Sequence, residues 1–259
     1  MPFTLAHPAA ILPLRHLALL RTAPLVVGAL IPDLPYYLPA TISRQLPQTH
    51  TFEGSLTICL ALGMAALVTL FVLRVPLTAL LSARARWLCL GTMAPFAGGA
   101  RAWLLAPLSI VVGVWTHLLW DSFTHVDGWV VRRVPALSAP VDIGPYHGNV
   151  CHVLQYLSSV LGLVVLTVWY LRLPAPPRAV HRGARTRSSS GPALLLAAAA
   201  AVLIGSVQAT EHFDRTPDIY RTLGIFLTHS LAWFALLYLV AGVTMTLQAM
   251  HERAASGGA

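Results

Sequence analysis

Five stretches of this sequence are apolar for close to the roughly 20 residues that cross a hydrocarbon layer. That pattern constrains the fold more than any other feature. The clearest is 55–73, with no charge until Arg74. The others are 102–120, broken by Pro107; 153–171, with Gln155 and Tyr156 near its start; 193–209, rich in Ala and Leu; and 223–250, which contains His229. Only helices and closed barrels satisfy backbone polar groups inside lipid. Runs of this length without strand-like alternation predict an all-α, polytopic membrane protein. Only 10% of residues are charged and the mean hydropathy is +0.70, against about 25% charged in soluble domains. Two further segments, 14–31 with His16 and Arg21, and 77–96 with Arg84 and Arg86, are too interrupted for simple spans. They are predicted to be interfacial or re-entrant helices. The N-terminus, with Pro2, Pro8 and Pro13, lacks the pattern of a cleavable signal peptide.

The net charge of +8 is carried by arginine alone, since the chain has no lysine. Nucleic-acid binding would normally be considered for such a charge, but the arginines fall between spans, where the positive-inside rule accounts for them. Arg74, Arg84, Arg86 and Arg101 lie between the first and second spans. Arg172, Arg178, Arg182, Arg185 and Arg187 lie between the third and fourth. Two spans separate these loops, so both belong on one side, predicted to be cytoplasmic. The opposite side then receives 1–54, 121–152 and 210–222. His7, Asp33, His50, Asp121, His125, His147, His152, Glu211, His212, Asp214 and Asp218 all fall there, although none was used to set the topology. His181 and His251 fall on the arginine side. The lysine-free, alanine-rich composition fits a GC-rich bacterial genome. Three cysteines without a CxxC pair argue against a disulfide framework or thiolate zinc site. The division expected is a membrane core over 1–173, a flexible cytoplasmic linker over 174–191, and a two-span tail over 192–259.

The chemistry concentrates in Trp115–His125, WTHLLWDSFTH. His117, Asp121 and His125 recur every four residues and so share one helix face. Histidine and carboxylate are metal ligands and proton-transfer groups, and ionisable residues in a span are costly and usually functional. His117 and His125 would lie about 12 Å apart along an ideal helix, too far to share one ion. Asp121 with one histidine, completed by His7, Asp33 or His50, is the more plausible set. Two ions bridged by Asp121 also satisfy the spacing. Zinc suits His/Asp ligands better than magnesium or calcium. The N-terminal residues are locally well placed. Pro8 favours the first turn of a helix with His7 at its mouth. Asp33 sits between prolines in IPDLPYYLP, and His50 precedes the first span, where Thr51 is a natural N-cap.

Each residue also has a purely structural account. His117 would hydrogen-bond between helices, Asp121 would pair with Arg101 or Arg132, and His125 would cap the helix dipole. His7 and His50 would be solvated, and Trp115, Trp120, Trp129 and Trp169 would form an interfacial belt.

The PFTLxHPAA opening, Pro32–Asp33, Thr49–Thr51 and the HLLWDSFTH block resemble an uncharacterised bacterial membrane family, a domain of unknown function. That family is similar to predicted inner-membrane metal-dependent hydrolases, whose scattered His and Asp resemble those of zinc phospholipase C-like enzymes. The resemblance covers about 1–173. It implies a membrane location and a metal site among His7, Asp33, His50, His117, Asp121 and His125; in the hydrolase reading Asp33 or Asp121 binds the metal or acts as the base. The expectation is therefore a hydrolase, zinc-dependent, acting on a phosphoester or lipid-linked substrate among membrane lipids. A transporter with Arg21, His117, Asp121 and His229 along its pathway, or a structural membrane protein, are the alternatives.

Overall fold

The computed structural model describes residues 4–38, 40–46, 48–143, 146–176, 190–215 and 219–256. The described chain is almost wholly helical. Five helices are long and apolar enough to cross a membrane: Phe52–Val72, Ala100–Thr124, Val150–Arg172, Gly191–Arg215 and Thr222–Glu252. These match the five runs read from the sequence. The two interrupted segments do not form helices of that length. Residues 14–31 break into a 3-10 turn, Leu14–His16, and a nine-residue helix, Thr22–Leu30, only about 13 Å long. Residues 77–96 fall in the helices Arg74–Ala79 and Ala83–Gly98. The linker arginines Arg178, Arg182, Arg185 and Arg187, with His181, lie outside the described residues, as does Asp218.

The chain divides into two compact units. The first comprises Met1–Leu67 and Gly99–Leu173. Here Thr22–Leu30 lies along Ala100–Thr124, and the N-terminal 3-10 helix Thr4–Ile11 packs on Val150–Arg172. Ile11, Leu20, Leu25 and Ala29 form a buried cluster, covered by Leu14, Val26 and Val112. The backbone crossing is close. A Cβ on Gly28 would overlap the Ile110 carbonyl, and one on Gly113 would overlap that of Leu25. Small residues permit such approach where lipid supplies no hydrophobic drive between helices. A short antiparallel hairpin, Pro140–Ile143 with Tyr146–Asn149, precedes the third span.

Trp115 and Trp120 are not belt residues alone. Their indole N–H groups donate to Ser55 Oγ at 3.0 Å and Ser158 Oγ at 3.1 Å, joining the second span to the first and third. An indole N–H away from water needs such a partner.

The second unit comprises Val68–Gly98 and Pro174–Ala259. The helices Ser190–Arg215 and Ile219–Ser256 pack on each other. Tyr238 donates its hydroxyl to the Leu77 carbonyl at 2.6 Å, and Gly242 lies against the Pro76 carbonyl.

Candidate metal centre

The site lies within the first unit, where the second span ends. Ala100–Thr124 is a continuous helix, so His117 and Asp121 project from one face one turn apart. His125 is its C-cap, its N–H bonded to the Asp121 carbonyl. Three chain segments bring further groups to this face. His7 comes from the N-terminal 3-10 helix, Asp33 from the 3-10 helix Ile31–Tyr37, and His50 from the turn before Phe52. Thr51 caps the helix behind His50, accepting the Gly54 N–H at 2.9 Å. His7 is not at a helix mouth, because Pro8 sits inside the 3-10 helix rather than in an α-helical first turn.

One ligand atom each from Asp33, His50, His117 and Asp121 lies within 4.8 Å of all the others. His117 Nε2 is 3.1 Å from Asp121 Oδ2 and 3.5 Å from Asp33 Oδ1. His50 Nε2 is 3.3 Å from Asp33 Oδ1 and 3.6 Å from Asp121 Oδ2. Ligands on a tetrahedral zinc ion at its usual bond lengths stand about 3.3–3.4 Å apart. The four separations bracket that value. His7 and His125 face the other oxygen of Asp121: His7 Nε2 is 3.7 Å and His125 Nδ1 3.4 Å from Oδ1. His7 also stacks on His117, ring centroids 3.8 Å apart. Among the described residues, every ion pair of Asp121 is with a histidine, and neither Arg101 nor Arg132 takes that place.

The hydrogen bonds around the rings fix their orientation. His117 Nδ1 is 2.8 Å from the Ala29 carbonyl, so Nδ1 carries the proton. Thr49 donates its one hydroxyl hydrogen to the Pro32 carbonyl at 2.8 Å and can only accept from His50 Nδ1, at 3.1 Å. When neutral, both rings carry the lone pair on Nε2; when charged, His50 donates from Nε2 to Asp33 Oδ1 at 3.3 Å. The neutral rings turn lone pairs towards two carboxylates, a repulsion that a metal ion, or protons on the rings, offsets. His117 Nε2 is fully buried and makes no hydrogen bond of acceptable geometry despite its near neighbours. This donor set, with each Nδ1–H held by a neutral oxygen, has the outer-shell pattern of metal-ligating histidines.

Sequence reasoning did not identify the supporting residues. Thr4 donates to Asp33 Oδ2 at 2.6 Å, and Tyr37 donates to Thr4 at 2.8 Å, leaving Asp33 Oδ1 for the cluster. Gln155 contacts His125 Nε2 at 2.9 Å. Its position, a buried amide one turn into an apolar span, was the available signal. Burial pushes His7 down to about 4, with His117 adding to the fall and Asp121 opposing it. For Asp33 burial favours the neutral acid, but the His117 and His50 rings beside it, with the Thr4 hydroxyl, overcome that and hold the carboxyl well below its usual range. His147 is apart from the centre, exposed and paired with Asp142 at 2.8 Å.

The chain belongs to the DUF4184 family: the model of this domain of unknown function matches residues 1–247. No curated protein matches it, and no solved structure does.

Proposed function

We propose that this DUF4184 member is a membrane-bound, metal-dependent hydrolase of phosphoester-containing substrates, its centre lying at the non-cytoplasmic face of a bacterial inner membrane. The observation that carries the reading is the convergence of Asp33, His50, His117 and Asp121, with both histidines held at Nδ1 and turning Nε2 to the two carboxylates. The mixed nitrogen and oxygen donors favour zinc. A divalent ion held there supplies Lewis acidity and an acidified water at neutral pH.

The chain's own residues provide the rest. Thr4, Thr49 and the Ala29 carbonyl orient the ligand side chains before substrate arrives. Three ligand side chains are buried, at 5%, 0% and 12% exposure for Asp33, His117 and Asp121, whereas His50 is 32% exposed. The open side of the centre is therefore the His50 side, and substrate approaches there. His7 and His125, against the second oxygen of Asp121, are placed to fix that carboxylate and to pass a proton to it or from it.

The test is elemental analysis and turnover on detergent-purified protein. Stoichiometric zinc is expected, with chelator-sensitive hydrolysis of phosphoesters in a bacterial lipid extract. Both should fall sharply in Asp121→Asn. Wild type that folds and holds no metal would leave the cluster as a set of buried ion pairs joining helices. Bound metal without turnover would reduce it to a structural centre.

A further inference from the structure

The centre opens onto a cavity of about 580 Å³ whose lining includes His50, Thr49, Tyr36, Arg44, Arg132 and Asp127. His50 belongs to both, so the cavity leads to the exposed edge of the ligand set. Its lining includes two arginines from distant parts of the chain, one following Ser43 and the other following the end of the second span.

These two arginines stand out from the others on the same side of the first unit. Arg15 lies over the Trp169 ring at 4.9 Å. Arg21 donates to the carbonyls of Ala18 and Leu20. Arg133 donates to the Trp129 carbonyl and covers its ring. Arg44 and Arg132 have no such side-chain partner among the described residues, and both line the cavity. The positive-inside rule does not explain them, since it puts arginine on the other face. Asp127, also on the lining, makes no ion pair with either arginine among the described residues, and it leaves the arginines in excess. Planar guanidinium groups match phosphate oxygens in pairs. Tyr36, 50% exposed, adds an aromatic wall beside them.

We propose that Arg44 and Arg132 form the anion subsite of the centre and grip the phosphate group of the substrate across the cavity that ends on His50. This deepens the hydrolase reading and rests on it for the role of the metal, but the grip itself belongs to the arginines. The ligand chemistry is a phosphate monoester or diester, whether free or as a lipid headgroup.

The experiment is calorimetric titration of full-length, zinc-loaded protein in neutral detergent. The probes are inorganic phosphate, glycerol phosphate, a short-chain phosphatidic acid, and the matching diacylglycerol as a neutral control. The phosphorylated probes should bind and the neutral lipid should not. Tighter binding of phosphatidic acid than of glycerol phosphate identifies a lipid headgroup; equal binding identifies the free ester. Arg44→Ala with Arg132→Ala should weaken phosphate binding roughly tenfold or more at unchanged zinc content. Both side chains are exposed, so folding should survive. Equal affinity in wild type and double variant would overturn the proposal, as would no binding of any phosphorylated probe. Arginine-dependent binding by a protein that holds no metal would uphold the subsite and overturn the hydrolase reading.

Discussion

Thr49 is the residue on which the orientation of the His50 ring depends. Its hydroxyl hydrogen is committed to Pro32, which makes it an acceptor for His50 Nδ1. Thr49→Val keeps the shape, removes no ligand, and releases His50 from that orientation. Metal affinity should fall by about 10–100-fold, the usual effect of losing such an outer partner. Competition with a fluorescent zinc chelator measures it, and His147→Ala is the silent control. His7 supplies a second prediction. Its folded pKa of about 4 lies below the unfolded value of 6.5. The unfolded chain therefore binds the extra proton first, and the stability due to neutral His7 is present above pH 6.5 and lost as pH falls towards 4. Melting of the metal-free protein in detergent should drop across that window, and His7→Gln should flatten the drop. These details were not readable in advance. The four-residue spacing of His117, Asp121 and His125 was legible because helical geometry is local. The commitment of a Thr49 hydrogen to a carbonyl seventeen residues away depends on tertiary folding.

The short helix Thr22–Leu30 is a positioning element. Its last turn presents the Ala29 carbonyl to His117, and its crossing with the second span depends on Gly28 and Gly113 having no side chains. Gly113→Val should push the two helices apart, destabilise the protein by about 1–3 kcal/mol, and release bound zinc, because His117 loses the group that holds Nδ1. Gly91→Ala, with open space around it, should leave melting and zinc content unchanged. Thermal melting with elemental analysis separates the two. The sequence indicated that 14–31 was no ordinary span, through its prolines, His16 and Arg21. It did not indicate that the segment would lie against the second span, since glycine contacts across 85 residues leave no local periodicity. The long spans were legible for the opposite reason: length and hydropathy within one segment suffice to define them.

At the scale of the whole molecule, a crossing by Val150–Arg172, the one candidate span between them, would put Ala139 and Ser189 on opposite sides of the membrane. Cysteines introduced at each, one within the described chain and the other outside it, should be labelled from opposite sides in intact cells. Labelling of both from one side would refute the topology and the non-cytoplasmic placement of the centre. The packing of Thr4–Ile11 on Val150–Arg172 bears on a different matter, the timing of assembly during synthesis. His7 is made before the other five, yet the helix its segment packs on begins more than 140 residues later. A nascent chain stalled before residue 150 already carries all six candidate His and Asp residues. It lacks the surface that receives Ala6 beside Gly162, and it lacks Gln155, which holds His125. Maturation of the centre therefore waits on a helix that contributes none of its ligands.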